Sequence, residues 1–182
     1  MDIPDRKECF IIINDNKMMD HIIKHSIMVG TVAEFLCLNL ISTFPDLNIE
    51  LAKSAGLLHD ITKTQSFTTG EKHSETGGEL LDKLGFPEAG DIVRQHVFLD
   101  NYDLSPPVTE AEIINYSDKR VLHDKIVPLD ERLDYIYKKY VTNKEFIKHF
   151  DFMKKNTHLL EKKIFAYLDF EPSDLQKLIS KL

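Results

Sequence analysis

The most informative segment of this 182-residue chain is Leu51–Asp60, which reads LAKSAGLLHD. Its small and aliphatic side chains predict an amphipathic helix over Ile49–His59, with Asn48 as the N-terminal cap. An imidazole and a carboxylate, His59 and Asp60, directly follow the apolar residues. Such groups are costly to bury unless they are paired or bind a metal ion. The segment therefore predicts a polar site at the end of a core helix.

Two more predicted helices carry a polar group on an apolar face. The first, over Met18–Leu40, places His25 among apolar side chains. The second begins with a capping box at Thr109, runs to about His123 and places Asp118 in the same way. One histidine on an apolar face is more often a satisfied core residue than a ligand. Three converging helices with two imidazoles and two carboxylates predict a metal site instead.

Two further histidines are placed to add a second ion. His73 precedes a helix predicted from Ser74, and His96 lies on the helix predicted over Glu88–Leu99. Asp60 would then bridge the two ions. A mixed set of imidazoles and carboxylates suits a divalent transition metal (Fe, Mn, Ni, Co or Zn) better than Ca²⁺, which prefers oxygen ligands. We expect one or two such ions per chain.

Helical periodicity dominates the remaining sequence. Further helices are predicted at Ser74–Leu84, at Leu129–Tyr140, from Asn143 onward and after Pro172. The exceptions are a short β-like run, Cys9–Ile13, and a polar loop, Thr62–Lys72. The predicted fold class is all-α, a single helical domain with additional C-terminal helices. We divide the chain into an N-terminal segment 1–17, a metal-binding core 18–125 and a C-terminal extension 126–182 packed on that core.

Composition and charge disfavour several classes of protein. With 42% hydrophobic and 29% charged residues, the sequence is that of an ordinary globular domain. The net charge of −7 argues against a nucleic acid partner, whose phosphates require clustered Lys and Arg. The chain has two cysteines, no signal-peptide pattern and no apolar stretch near the roughly 18 residues that span a bilayer. These features predict a cytoplasmic protein with no membrane partner.

The polar groups, taken in chain order, resemble those of the HD-domain superfamily of metal-dependent phosphohydrolases. The shared pattern is a histidine, a His-Asp pair and a later aspartate, here His25, His59, Asp60 and Asp118. Residues 57–63, LLHDITK, are similar to that family's LLHDIGK, with threonine in place of glycine. The resemblance implies an HD-type helical core in which these four side chains bind one metal ion.

A second part of the resemblance concerns the additional histidines. Residues 73–81, HSETGGELL, followed by LGFP at 84–87, are similar to the segment that bears an extra histidine in six-ligand members. The resemblance implies that His73 and His96 hold a second ion. Val97 follows His96, where many members have a His-His pair. In all, the resemblance covers roughly residues 20–124.

The function that the resemblance implies is hydrolysis of a phosphate ester, as a phosphomonoesterase or a phosphodiesterase. A metal-activated water would attack phosphorus, with Asp60 orienting the water and Lys63 stabilising charge on the phosphate. Lys119 and Arg120, next to Asp118, are further candidates for binding the substrate. The expected partner is a small phosphorylated molecule, a nucleotide by resemblance. The oligomeric state stays open, and a homodimer is one of the options.

Two other functions stay open. One is a di-iron oxygenase built on a similar set of six ligands, and the other is a non-catalytic sensor that binds a nucleotide or a metal. A zinc protease is disfavoured, since His21 and His25 have the required spacing but Ile22 stands where the general base would be. The second His-Asp pair, His123-Asp124, is interpreted as a solvated helix end.

Overall fold

The computed structural model describes residues 2–181, apart from the side chain of residue 145. The helices are α1 Arg6–Asp15, α2 Asp20–Leu40, α3 Ile49–Leu58, α4 Lys63–Thr69, α5 His73–Lys83, α6 Pro87–Gln95, α7 Glu110–Asp118, α8 Leu129–Tyr140, α9 Lys144–Phe165 and α10 Leu175–Ile179, with a 3₁₀ turn at Pro172–Asp174. Within the described residues the only strands are β1 Val121–Leu122 and β2 Lys125–Ile126, an antiparallel pair. The all-α prediction is confirmed.

The centre of the fold is the contact between helices α2 and α3. The two backbones approach closely at Gly30 and Gly56, where a Cβ on Gly56 would lie 2.6 Å from the Cα of Gly30. Helix α7 packs against both helices, and its Ile113 and Ile114 are fully buried. Because these three helices pack together, the side chain of His25, the side chains that follow α3 and the last side chain of α7 lie close together.

Helices α5 and α6 form a second close pair. A Cβ on Gly78 would meet the carbonyl oxygen of Gly90 at 2.8 Å, and a Cβ on Gly77 would meet a methyl group of Val93 at 3.1 Å. The Gly-Gly pair in this helix is thus explained by close helix packing. This packing brings His73, at the start of α5, toward His96, which follows α6.

The prediction that no segment is long and apolar enough to span a membrane was wrong for helix α2. Asp20–Leu40 has 21 residues and a mean hydropathy of 1.3 in its most apolar window, which meets that criterion by length and composition. Half of that window is buried inside the protein, and α2 packs on α3 and α7. Core helices of soluble proteins pass the same test, so the hydropathy of α2 is explained by its central position.

Two local predictions of structure type were wrong, and the helix predicted from Thr109 to about His123 ends earlier, at Asp118. The β-like run Cys9–Ile13 lies in helix α1, which begins with a capping box between Asp5 and Glu8. The predicted loop Thr62–Lys72 contains helix α4, which ends at Gly70 in the left-handed conformation. The capping box predicted at Thr109 is confirmed.

The C-terminal helices pack on the core. On α9, the Lys163 ammonium lies 2.7 Å from a carboxylate oxygen of Glu112, and both side chains are buried. The hydroxyl of Tyr116 donates to Glu161 at 2.6 Å. These two contacts join α9 to α7, and α10 reaches α2. Helix α8 lies close to the end of α7 and borders the site described next.

Candidate metal centre

The structure brings six of the predicted site residues together. They come from four parts of the fold: His25 from α2, His59 and Asp60 from the end of α3, His73 and His96 from the α5–α6 pair, and Asp118 from the end of α7. Five of the six are buried, and His73 is partly buried. Helix packing, rather than any local motif, collects four imidazoles and two carboxylates in one place.

The six side chains form two overlapping groups. In the first, a carboxylate oxygen of Asp118 lies 3.0 Å from Nε2 of His25 and 3.8 Å from Nε2 of His59. In the second, Oδ1 of Asp60 lies 3.1 Å from Nε2 of His73 and 3.6 Å from Nε2 of His96. Oδ2 of Asp60 lies 3.4 Å from Nε2 of His59, which joins the two groups.

Two sets of three side chains could each hold a metal ion. One is His25, His59 and Asp118, and the other is His59, Asp60 and His96. Within each set, all ligand atoms lie within 4.8 Å of one another. His73 adjoins the second set through Asp60. The centre can therefore hold a divalent metal, and the number of ions per chain stays a prediction.

Three of the imidazole rings are held by backbone carbonyl groups. Nδ1 of His25 donates to the carbonyl of His123 at 3.0 Å. Nδ1 of His59 donates to Gly56 at 2.8 Å, and Nδ1 of His96 donates to Val93 at 2.7 Å. Such bonds place a proton on Nδ1 and turn Nε2 toward the centre, as in metal-binding histidines. Nε2 of His25 also makes a 3.0 Å hydrogen bond with Oδ1 of Asp118. All three Nε2 atoms point at the carboxylates of the centre.

Two buried polar atoms without hydrogen-bond partners show whether the site fits a metal ion. Among the described residues, Nε2 of His59 and Oδ1 of Asp60 are buried and have no hydrogen-bond partner. Oδ1 of Asp60 is within ion-pair distance of two histidines, but those contacts lack hydrogen-bond geometry. Buried polar atoms without partners are costly. A cation coordinated by both atoms would satisfy them, so the residues present fit a metal ion.

The electrostatics of the centre favour charged carboxylates and a neutral imidazole. Burial alone would raise the pKa of Asp60, but Lys63 and His59 hold that pKa well below its usual range. Burial would also raise the pKa of Asp118, which His25 and Lys119 hold well below its usual range. Burial lowers the pKa of His96 to about 4. Burial would also lower the pKa of His59, but Asp60 and Asp118 raise that pKa. The charged carboxylates and the neutral His96 are the states that metal coordination requires, and at His59 a bound cation would compete with a proton.

Lys63 lies at the edge of the centre. Its ammonium is 2.7 Å from Oδ2 of Asp60, and about a fifth of the side chain is exposed. Burial would lower the pKa of Lys63, but Asp60, Asp118 and, more weakly, Tyr140 raise that pKa. The lysine is therefore a permanent cation between the ligands and solvent.

The structure does not bring Lys119 or Arg120 to the open side of the centre. Lys119 is fully buried, and its ammonium donates to the carbonyl of His96 at 2.7 Å. Arg120 points away: its guanidinium donates to the carbonyls of Val127 and Pro172. The Lys119 ammonium also lies 3.7 Å from a carboxylate oxygen of Asp118. A role of either side chain in substrate binding stays a prediction. Lys119 supports the centre from the buried side, through its bond to His96.

Helix α8 supplies residues that the sequence analysis missed. Arg132, Tyr135 and Lys139 are three and four residues apart, so they share one helix face. Nη2 of Arg132 lies 3.4 Å from Oδ1 of Asp118, and its guanidinium lies 5.6 Å from the Tyr135 ring. The Lys139 ammonium donates to the Tyr135 hydroxyl at 3.2 Å. The sequence shows that these three residues share one helix face, but it does not show that this face packs against the metal centre.

The centre opens into a small cleft of about 70 Å³. Its walls come from α2, α3, α4, the β1–β2 turn and α8, and its lining residues are His21, Ile22, His25, Asp60, Lys63, Phe67, His123, Arg132, Tyr135, Lys139 and Tyr140. A larger cavity of about 860 Å³ lies between α6, α7 and the loop 99–107. That cavity contains none of the six ligands and is lined by several carboxylates, so it does not suit an anionic substrate.

Comparison with known proteins identifies the family. The sequence model of the HD domain matches residues 22–122, more than half of the chain and the part that carries all six ligands. This chain belongs to the HD-domain family. The earlier resemblance is thus confirmed, and HD domains bind divalent metals and mostly occur in phosphohydrolases. No solved structure gives a significant match to this HD-domain protein.

The relatives of this HD-domain protein differ widely in length. An uncharacterised protein of Methanocaldococcus jannaschii, MJ0778, is 27% identical over 146 residues, which are 73% of this chain and 85% of that protein. Ribonuclease Y of Fervidobacterium nodosum is 30% identical over 54% of this chain and 17% of its own length. A tRNA (cytidine(56)-2'-O)-methyltransferase of Picrophilus torridus is 28% identical over 72% of this chain and 40% of its own length. The chain thus spans less than half of the last two proteins.

Proposed function

We propose that this HD-domain protein is a metal-dependent phosphohydrolase that acts on a nucleotide or another small phosphate ester. The observation that carries the proposal is the pairing of a metal-binding centre with cations on its open side. Lys63 lies 2.7 Å from Asp60, and Arg132 and Lys139 border the same cleft. A phosphate group is the substrate that needs both features, because its negative charges must be neutralised during attack on phosphorus.

The roles of the chain's own residues follow from their positions. A divalent metal held by the histidines and aspartates would supply a Lewis acid and an activated water. Asp60 lies between the two ligand groups, so one of its oxygens can orient the attacking water. Lys63, at the edge, would stabilise charge on the phosphate oxygens. Arg132 holds Asp118 through two contacts, at 3.4 Å each, and fixes that ligand's orientation.

Several observations support a small substrate over a nucleic acid. The cleft is only about 70 Å³, and the chain has a net charge of −7, which disfavours binding of a phosphate backbone. The name ribonuclease Y denotes an enzyme that cleaves RNA, a phosphodiester, and its aligned segment supports phosphate-ester chemistry in general. RNA therefore belongs in the test as a substrate expected to fail.

The test is a screen for phosphate release by protein loaded in turn with Mn²⁺, Fe²⁺, Co²⁺, Ni²⁺ or Zn²⁺. Substrates are nucleotides, sugar phosphates, cyclic and linear phosphodiesters, and a short RNA. We expect turnover of at least one small ester, and loss of both metal and turnover in His59→Ala and Asp60→Ala. The matched control is Asp124→Ala, which changes the exposed aspartate of the other His-Asp pair and should keep full metal content and rate.

Each result that would overturn the proposal points to one alternative. Turnover that requires both iron and oxygen, and that ceases anaerobically with Mn²⁺, would indicate a di-iron oxygenase. Tight nucleotide binding by metal-replete protein, without turnover of any ester, would indicate a sensor. Full metal stoichiometry in both ligand variants would show that the metal lies elsewhere.

A further inference from the structure

Two exposed aromatic side chains line the cleft beside the metal centre. Phe67 on α4 is 59% exposed and Tyr140 at the end of α8 is 48% exposed, yet both line the cleft that contains Asp60 and Lys63. Single exposed aromatic residues are common on protein surfaces and need no explanation. Here two of them line one small cleft beside the metal centre, a placement that single scattered residues would not show.

We propose that Phe67 and Tyr140 bind a planar ring in the alcohol portion of the substrate and so select which phosphate esters are accepted. This inference rests on the proposed phosphohydrolase function, because the ring must belong to a molecule whose phosphate reaches the metal centre. It assigns a specificity role to two residues that bind neither the metal nor the phosphate.

The first argument comes from helix α4. This helix has no buried residues, so Phe67 is not there to fill the core. The helix is held instead by polar contacts: the Thr64 hydroxyl accepts from the backbone of Met19 at 3.0 Å, and Gln65 donates to Asn16 at 2.8 Å. Phe67 follows Lys63 by four residues, which places both side chains on one helix face, one turn apart. A phosphate at Lys63 would have its ester group beside Phe67.

The second argument comes from the end of helix α8. The Lys139 ammonium lies 5.4 Å from the ring centre of Tyr135 and 5.3 Å from that of Tyr140. A cation between two rings holds them in place through cation–π attraction, which orients the Tyr140 ring without burying it. The cleft thus carries two cations, Lys63 and Arg132, beside the candidate metal ligands, and exposed aromatic rings farther toward solvent. That order matches a molecule with a phosphate at one end and a flat ring at the other.

The test compares ligands that differ only in the ring. Adenosine 5′-monophosphate and ribose 5-phosphate share the same leaving hydroxyl, so a difference between them reports on ring binding and not on leaving-group chemistry. Rates are measured with metal-replete protein, and the non-hydrolysable phosphonate analogues of both compounds are titrated by calorimetry. Stacking of one base on an aromatic side chain typically strengthens binding by about tenfold to a hundredfold. We expect the nucleotide to be favoured by at least about tenfold in kcat/KM and in affinity of the analogue.

Single-residue variants show which side chains produce the preference for the nucleotide. Phe67→Ala and Tyr140→Ala should each reduce it by about tenfold through a higher KM for the nucleotide, while the values for ribose 5-phosphate stay unchanged. Tyr140→Phe keeps the ring and should keep the preference. The matched control is Phe146→Ala, which removes a phenyl ring 51% exposed on α9 that does not line the cleft.

The outcomes separate the two proposals. Equal kcat/KM and equal affinity for both ligands, or a preference that survives both alanine variants, would overturn the ring-binding assignment and leave the phosphohydrolase proposal intact. A ring preference in calorimetry without turnover of either ester would support the assignment and count against hydrolysis of these compounds. Unchanged melting temperatures in the variants, expected at exposed positions, ensure that any loss is not due to unfolding.

Discussion

Substitution of Gly56 by alanine should disturb the metal centre without touching any ligand. The added Cβ would lie 2.6 Å from the Cα and 2.9 Å from the nitrogen of Gly30, and neither backbone atom can rotate away. To reach an ordinary contact of 3.4 Å, helices α2 and α3 must separate by about 0.8 Å. Helix α2 carries His25 and α3 precedes His59, so the same shift separates these two imidazoles.

The expected loss of unfolding free energy follows from two opposing effects. Overpacking of a core typically costs about 1–3 kcal/mol, and a contact between two backbones belongs at the upper end. The change from glycine to alanine inside a helix returns about 0.5–1 kcal/mol. The expected net loss is about 2 kcal/mol, which lowers the melting temperature by about 4–8 °C in a chain of this size. Metal–ligand distances tolerate only about 0.2 Å, so metal occupancy should fall as well.

The assay is thermal unfolding followed by circular dichroism, with and without a chelator, together with elemental analysis. Wild-type protein should melt higher with metal than without, since a ligand that binds only the folded state stabilises it. In Gly56→Ala this metal-dependent increase should shrink. Gly30→Ala is the graded control: its Cβ meets the Lys53 carbonyl at 3.2 Å and the Leu57 side chain at 3.4 Å, so a small adjustment suffices. An unchanged melting temperature and full metal content in Gly56→Ala would refute the reasoning.

Three further predictions concern single side chains. Lys63→Ala should keep its metal but lose about 100- to 1000-fold in turnover, measured by steady-state kinetics, since it removes the cation 2.7 Å from Asp60; an unchanged kcat and KM would remove it from the site. His73→Ala and His96→Ala, whose Nε2 atoms adjoin Asp60, should lower metal content from about two ions per chain toward one by elemental analysis; a wild-type content of one ion would contradict this. Burial raises the pKa of both Cys9 and Cys37 from 9.0 to about 12. Because the thiol pKa is higher in the folded than in the unfolded protein, the two thiols contribute to stability below pH 9, and this contribution is lost between about pH 9 and 12. Cys→Ser variants should therefore lose less unfolding free energy than the wild type over that pH range.

Helices with an apolar stripe were predictable from the sequence. The bounds of α8 were predicted to the residue, and those of α2 and α3 to within two residues, since each buries a continuous face. Helix α4 was missed because none of its residues is buried, so no periodic signal exists. Helix α1 was mistaken for a strand because its β-branched run outweighed the Asp5–Glu8 capping pattern, which was readable and would have corrected the error.

The site was predictable only where its residues carried a local signature. The clustering of the six candidate ligands was predictable because each places a polar group beside apolar helix positions or within a recognised motif. Arg132 was missed since its relation to Asp118 depends on the path of the chain between α7 and α8. Lys119 was assigned to the substrate side because sequence proximity to Asp118 does not say which way a side chain turns; the structure turns it inward. The cytoplasmic location and the homodimer stay predictions.

The division of the cleft between two stretches of the chain has a consequence for engineering. Residues 22–122 carry the ligands, whereas Arg132, Tyr135, Lys139 and Tyr140 come from α8, outside the family match. A graft of the matched segment onto another scaffold would transfer the reactive centre but leave one wall of its cleft behind. Conversely, α8 can be rewritten in a library at its outermost positions, 139 and 140, with every ligand left in place. The candidate metal ligands and the α8 wall of the cleft can thus be altered independently of one another.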